Sequence, residues 1–321
     1  MPYEKEISIK NKQFHDFLKR NNIEPENGID NPVKFPPAIA YRKKIALHSD
    51  GSFLGYKAVD NKTVIDIAKC VIAVDQINTK ISEIRASPSF QEHIKNNSRH
   101  TFRYSNIDGI FYWTENSSPP TNRLISEQTH FGTISAPLAS FFQVNNQICN
   151  SLVNKVMQII KELNADQVID LYCGCGIFSL ASAKSGAKFI NAIDSDEKSI
   201  IAARKNAEAL GINNIKFHSA SIEKIMQSFV SQKIKPKENI LIVDPPRTGL
   251  SNKVLKIISD AKFNAIIYIS CAPDTLVRDL KILVQNDYKI ISSGIFDMFP
   301  RTSHFETLTI LKHKFYKSIK S

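Results

Sequence analysis

The chain has 321 residues, of which 42% are hydrophobic and 23% charged; this is the composition of a globular protein of one large domain or two. No apolar run approaches the roughly 20 residues that cross a bilayer, and the opening Met1-Pro2-Tyr3-Glu4-Lys5-Glu6 lacks the apolar core of a signal peptide, so no membrane partner and a cytoplasmic location are expected, in keeping with an odd count of five cysteines. The net charge of +11 favours a polyanionic partner, with the excess spread as 18 basic against 14 acidic side chains in residues 1–125 and 24 against 17 in residues 126–321, so no disordered basic arm is indicated.

Ile7, Phe14, Phe17 and Leu18 share a helical face, which predicts a short amphipathic helix over Ile7 to Leu18. Asn31-Pro32 to Pro36-Pro37 reads as a linker. Strand-like runs 39–47 and 53–59 flank Asp50-Gly51, a hairpin signal, and Val64–Ile67 continues the pattern. A helix is expected over Gln76 to Arg85, then strands at Arg103-Tyr104 and Ile110 to Trp113. This part reads as a small α+β domain over residues 38–125, with 1–37 as a helix and linker before it.

From about residue 150 the pattern becomes regular. Helices over 151–163, 178–185, 196–210, 222–231, 252–259 and 274–285 alternate with strands over 167–171, 188–193, 215–218, 239–243 and 264–269. Two last strands, 288–296 and 305–312, have no helix between them. Alternation implies α/β architecture with a doubly wound, mostly parallel sheet, and the closing pair implies an antiparallel hairpin at one edge. This second domain is expected to span residues 126–321.

The turn Asp170-Leu-Tyr-Cys-Gly-Cys-Gly176 follows the first of these strands. Gly174 and Gly176 let the backbone approach a ligand closely. Leu180 stands near where a dinucleotide fingerprint needs its third glycine, so a nucleoside ligand without pyrophosphate, such as S-adenosylmethionine, fits better. Asp194 ends the next strand, where a carboxylate accepts hydrogen bonds from ribose hydroxyls; the bland reading is a tight turn with Asp196 as a helix cap. Asp244-Pro245-Pro246-Arg247 follows the apolar strand Ile240 to Val243, on the rim where ligands of open α/β sheets bind. Cys271 ends the strand after that. A lone cysteine is ordinarily a small buried hydrophobe, but here it shares the rim with Asp244 and precedes a helix whose N-terminus favours thiolate.

Five ordered motifs resemble the RNA uracil-5 methyltransferases, the TrmA/RumA-like enzymes of the class I (Rossmann-like) S-adenosylmethionine-dependent type. They are Phe141-Phe-Gln-Val-Asn145; Asp170-Leu-Tyr-Cys-Gly174 with Phe178-Ser-Leu180; Asp244-Pro-Pro-Arg-Thr-Gly-Leu250; Tyr268-Ile-Ser-Cys-Ala-Pro-Asp-Thr-Leu276 with Arg278-Asp279-Leu280; and Asp297-Met-Phe-Pro-Arg-Thr-Ser-His-Phe-Glu306. Tyr41-Arg-Lys-Lys44 and Cys70 resemble the family's central domain more weakly. The resemblance implies that Gln143, Tyr172, Gly174, Asp194 and Asp244 contact S-adenosylmethionine, with Gly176 in the same turn as Gly174. It implies that the Cys271 thiolate attacks uracil C6, that Asp244 reads the N3/O4 edge, and that Glu306 removes the C5 proton. Phe299-Pro300 and His304 then shape the loop that presents Glu306.

Three departures stand out. Ala272 occupies the position where the family usually has Asn after the nucleophile. Of the four cysteines that hold an iron–sulfur cluster in some members, only Cys70 has a counterpart, so neither a cluster nor any metal is expected. The short N-terminus predicts that the barrel domain of larger members is absent, so residues 1–125 and scattered Lys and Arg are expected to grip the RNA. The reading is a monomeric RNA uridine C5-methyltransferase acting on rRNA or tRNA, with rRNA slightly favoured. The alternatives are a catalytically silent RNA-binding relative, raised by Ala272, and a class I methyltransferase of a protein or small molecule, which would need no thiol at 271.

Overall fold

The computed structural model describes residues 1–95, 97–115, 117, 123–140, 144–231 and 239–315. The chain forms two compact units, Met1–Phe35 with Gln147–Ser321, and Pro36–Asn146. The first helix, α1 (Tyr3–Arg20), buries the expected stripe of Ile7, Phe14 and Leu18, and also buries Glu6 and Lys10. It belongs to the larger unit: Phe14 and Leu18 share an apolar core with Tyr268 and Phe305.

In the Pro36–Asn146 unit, the elements are β1 (Lys44–Ser49), β2 (Leu54–Lys57), β3 (Val64–Asp66), α2 (Asp75–Ala86), α3 (Phe90–Ile94), β4 (Ser98–Ser105), β5 (Gly109–Thr114), β6 (Leu124–Thr129) and β7 (Gly132–Pro137). The first five strands form an antiparallel sheet in the order β3-β2-β1-β4-β5. Its first hairpin turns at Asp50-Gly51: Gly51 has φ +94°, and the Asp50 carboxylate accepts from the amides of Ser52 at 3.0 Å and Phe53 at 2.9 Å. Leu47, Leu54 and Phe102 from the sheet pack with Ile77 and Ile81 of α2.

The β6–β7 hairpin was not expected, and it moves the domain boundary. Residues 126–146 belong with this unit rather than with the chain that follows. Buried charges tie them there. Lys43 pairs with Glu127 at 3.1 Å, and the Arg103 guanidinium donates to the Pro137 and Leu138 carbonyls at 2.9 and 2.7 Å. These partners are tens of residues apart, so no local pattern announces them.

The larger unit continues with α4 (Asn146–Glu162), β8 (Gln167–Leu171), α5 (Ile177–Lys184), β9 (Phe189–Asp194), α6 (Glu197–Ala209), β10 (Ile215–Ser219), α7 (Ile222–Ser231), β11 (Asn239–Val243), α8 (Asn252–Ala261), β12 (Ala265–Ser270), α9 (Pro273–Gln285), β13 (Tyr288–Phe296) and β14 (Glu306–His313). Its seven-stranded sheet has the order β10-β9-β8-β11-β12-β14-β13, parallel except for the β14 and β13 pairings. The expected doubly wound sheet with an antiparallel hairpin is therefore observed. Every residue of β11 and β12 is buried, which explains their unbroken apolar sequences. Residues 26–33, whose last part opens the expected linker Asn31–Pro37, run along the β13 edge. The amides of Glu26, Asp30 and Val33 donate to the carbonyls of Ile290, Ser293 and Ile295 at 2.8–2.9 Å, covering an edge that is otherwise open to pairing.

Gly55 in β2 is required by the β3 backbone, since a Cβ there would lie 1.8 Å from the Ile65 carbonyl oxygen. Gly55→Ala should therefore force β3 off the sheet edge and destabilise the protein by roughly 1–3 kcal/mol. A denaturant-unfolding curve unchanged from wild type would refute this packing.

Candidate active site at the carboxyl edge of the sheet

Strand register brings the singled-out residues of the larger unit together. Val243 pairs with Leu171 on one side and with Tyr268 on the other, so Asp244, Tyr172 and the end of β12 share one edge. In the antiparallel pair of β12 and β14, Ser270 lies opposite Thr307. Cys271, one residue beyond Ser270, and Glu306, one residue before Thr307, therefore lie at the same end of that pair.

The glycine-rich turn is held by Asp194. Its carboxylate accepts from the Gly174 amide at 2.9 Å and from the Asp196 amide at 2.8 Å. Two accepted bonds leave roughly two lone-pair positions on a carboxylate for ligand hydroxyls. Asp196 also caps α6, accepting from the Lys198 amide at 3.1 Å, so the cap and the turn coexist. Tyr172, Gly174 and Gly176 all have positive φ, at 64°, 52° and 87°. A side chain on Gly176 would press on Ala203 at 3.2 Å and Phe217 at 3.3 Å, whereas one on Gly174 would meet nothing within 4 Å. The turn is thus packed below Gly176 and open above Gly174, which fits a ligand lying over it. Gln143 lies outside the described residues.

Asp170, at the end of β8, is fully buried. Ser179 of α5 donates to its Oδ2, while Oδ1 has no partner. Desolvation, with Asp244 and Asp194 nearby, pushes its carboxyl up to about 7. In the sequence this residue stands out only as the first of the glycine-rich turn and its motif.

The loop from Asp244 to Leu250 is clamped to α9 by Asp279, which the sequence presented only as part of a motif. Asp279 is wholly buried and accepts from the Leu250 amide at 2.8 Å, the Tyr268 hydroxyl at 2.7 Å and the Arg278 guanidinium at 2.8 Å. Arg278 donates onward to the Leu250 carbonyl at 2.9 Å, and Thr275 to the Arg247 carbonyl at 3.1 Å. The available signal was a carboxylate on the apolar stripe of Leu276, Leu280 and Leu283, where it needs partners. Ala272 stands at the N-cap of α9 with no side-chain bond to the helix. Its backbone is held instead by Ser270, which receives its amide at 3.1 Å, and by Thr275, which donates to its carbonyl at 3.1 Å.

Cys271 is half-buried, whereas the other four cysteines are buried. The expectation that the helix N-terminus favours its thiolate is corrected by its surroundings. Desolvation, then Glu306 and Asp244, push the thiol up to about 11, against an opposing pull from Arg247, which also bonds the sulfur. Glu306 is 4% exposed and its Oε2 has no partner. Burial and the Asp244 charge raise it well above the ordinary carboxylate range, with Arg247 opposing. Asp244 keeps some exposed surface, but the protein packed around its carboxyl raises it too. Two carboxyls and a thiol in one desolvated cluster are all shifted toward their protonated forms. Among the described residues, no group of three or more His, Cys, Asp and Glu is placed to hold a metal ion, and no helix is long and apolar enough to cross a membrane.

A family model described as tRNA (Uracil-5-)-methyltransferase matches residues 135–314. An RNA methyltransferase of Thermotoga maritima, described as uncharacterized, is 26% identical over 96% of this chain and 80% of its own length. A 23S rRNA (uracil(1939)-C(5))-methyltransferase of Legionella pneumophila is 34% identical, but that match takes in 54% of this chain and 38% of the Legionella protein. The chain therefore spans well under two thirds of some curated relatives. A crystal structure of the Pyrococcus abyssi tRNA (uracil-54, C5)-methyltransferase in complex with S-adenosyl-L-homocysteine aligns with a TM-score of 0.76 at 25% identity, covering 97% of this chain and 84% of that one.

A pH consequence follows from Asp170. A buried carboxyl raised from 3.8 to about 7 binds more protons folded than unfolded between those values. Its contribution to stability is full below about pH 3.8 and is lost as pH rises through about 7. The melting temperature of wild type minus that of Asp170→Asn should therefore fall between pH 5 and pH 8. A difference that is flat or rises would place the Asp170 proton elsewhere.

Proposed function

Because the chain belongs to the tRNA (uracil-5-)-methyltransferase family, we propose that it methylates C5 of a uridine in RNA, with Cys271 as nucleophile and Glu306 as base. The observation that carries this reading is the β12–β14 register. It sets the half-buried Cys271 thiol and the Glu306 carboxyl at one strand end beside Asp244. S-adenosylmethionine, when bound, supplies a methyl group on a positively charged sulfur. Tyr172, Gly174, Gly176 and Asp194 are the described residues that would hold it, over the open side of the turn.

Uracil C5 is a poor nucleophile by itself. The Cys271 sulfur, once deprotonated, forms a bond to C6, and the C5–C6 π pair moves toward O4. C5, now electron-rich, would take the methyl group that bound S-adenosylmethionine would supply, with its sulfur as the leaving group. Glu306 as carboxylate takes the C5 proton; that electron pair restores C5=C6, and the C6–S bond breaks with the thiolate as leaving group. The sum is one methyl transferred and one proton released. Burial makes Glu306 the stronger base when ionised, and Arg247 is the cation that favours the thiolate. Asp244 faces the same space and can bond the polar edge of a flat base, which must leave its stack to arrive there.

RNA as the partner is supported within the Pro36–Asn146 unit as well. Arg42, Lys44 and Arg99 line one cavity of about 390 Å³ with no carboxylate among the described residues of its wall. Burial, then Arg103 and Arg99, pull the Lys44 ammonium down to about 8, so the cavity favours an anion. The relatives include enzymes of both rRNA and tRNA, so transcripts of both are the substrates to offer.

With 5-fluorouridine-substituted tRNA and 23S rRNA transcripts and S-adenosylmethionine, the protein should form a denaturation-stable adduct, because fluorine at C5 cannot be removed as a proton. Cys271→Ala should abolish it. On natural transcripts Glu306→Gln should accumulate a methylated adduct. Absence of any adduct, with natural transcripts also unmethylated, would overturn the reading. Undiminished methylation by Cys271→Ala would overturn the thiol mechanism alone.

A further inference from the structure

We infer that Lys10, on the N-terminal helix, is a positioning residue for removal of the C5 proton, acting on Glu306 through the segment 297–305; this rests on the function proposed above. The β13–β14 hairpin closes at the pair Phe296 and Glu306, so 297–305 is its loop and Glu306 the first residue after it. Helix α1 grips that loop at both ends. At the start, the Lys10 ammonium lies 2.7 Å from the Asp297 carboxylate and 3.2 Å from the Phe299 carbonyl oxygen, and it also meets Glu6 at 2.9 Å. An ammonium has three protons, and each has a taker here. The Tyr3 hydroxyl donates to the other Asp297 oxygen at 2.8 Å. In the middle, the Arg301 amide donates to Glu6 at 2.7 Å. At the end, the Phe14 ring packs edge-on against Phe305, with centroids 5.9 Å apart.

These contacts are buried. Lys10 is 2% exposed, Glu6 5% and Asp297 0%. Three charges are not drawn together in a protein interior without a compelling geometry, because each loses its hydration. The geometry here has a local use. Glu306 Oε2 has no hydrogen-bond partner of its own. The aim of that carboxyl is therefore set by the backbone on either side of it: Thr307, whose hydroxyl donates to the Ser270 carbonyl at 3.0 Å, and Phe305, which α1 holds. Cys271 and Asp244 are fixed separately, through Asp279 and Thr275. Loosening the loop should thus disturb proton removal and leave thiol addition and cofactor binding intact.

The test uses full-length Lys10→Met. Natural and 5-fluorouridine transcripts of tRNA and 23S rRNA are offered with methyl-labelled S-adenosylmethionine, and S-adenosylhomocysteine binding is followed by calorimetry. Displacing a catalytic group by about 1 Å costs on the order of 100-fold in rate. The folded variant should bind S-adenosylhomocysteine as wild type does and form the fluorinated adduct at the wild-type rate. On natural RNA it should release methylated product at least ~10-fold more slowly, with label accumulating in a denaturation-stable protein–RNA adduct. Release at the wild-type rate, or equal loss of adduct formation and product release, would overturn the inference. If Lys10→Met does not fold, Tyr3→Phe decides: it removes only the hydroxyl given to Asp297, and accumulated adduct supports the inference while wild-type release overturns it. Failure of wild type to methylate either natural transcript overturns the functional reading, and the inference with it.

Discussion

Burial of acid groups at the carboxyl edge of one sheet is the constraint around which the larger unit is arranged. Asp170 closes β8, Asp244 follows β11 and Glu306 opens β14; each is held toward its protonated form by desolvation, and each raises or is raised by a neighbouring carboxyl. Such a cluster stands only because strands on both sides fix it and because the α9 clamp through Asp279 leaves the Asp244 loop nowhere else to go. The same crowding makes the edge selective. A ligand carrying positive charge lowers the energy of the ionised carboxyls there, whereas an anion without a cationic partner raises it. Cys271 sits inside this balance, and its ionisation depends on the charges around it.

The alternation of elements in the larger unit was legible because its strands are buried on both faces and its helices on one, so apolar spacing reports each directly. The rim residues were legible for a related reason: Asp194, Asp244 and Cys271 each stand just at or past the end of a clear strand, and chain order then places them on one edge. Pairings between charges remote in sequence were not legible. Nothing local shows that Lys43 meets Glu127 or that Lys10 meets Asp297, since each of these residues reads as part of a solvated face until its partner is in place. The grouping of residues 126–146 with the smaller unit has this origin. The ionisation of Cys271 was misjudged because a helix N-terminus can be read from sequence, while the desolvation and the two carboxyls that outweigh it cannot.

Ala272 illustrates how such a site tolerates a departure. A side-chain cap is worth about 1 kcal/mol at a helix N-terminus, and here α9 has none. Bonds from Ser270 and Thr275 to the Ala272 backbone hold the turn after Cys271 in place of a side-chain cap. The position of Cys271 is therefore underwritten by its neighbours on both sides rather than by the residue that follows it.

The larger unit is assembled from the first 35 residues and the last 175, with the smaller unit encoded between them. A ribosome delivers these pieces in the order first, middle, last. Pro36–Asn146 is complete as soon as it emerges, and units of this kind fold as they are made. Helix α1 has no such option: the core it joins and the Asp297 that answers Lys10 follow the smaller unit in the chain. Until those residues have been made, its apolar stripe of Ile7, Phe14 and Leu18 lacks the core it packs into. The interval between synthesis of α1 and its docking is the period in which the nascent protein is most exposed to wrong partners, and its length is set by the size of the insertion that separates the two parts.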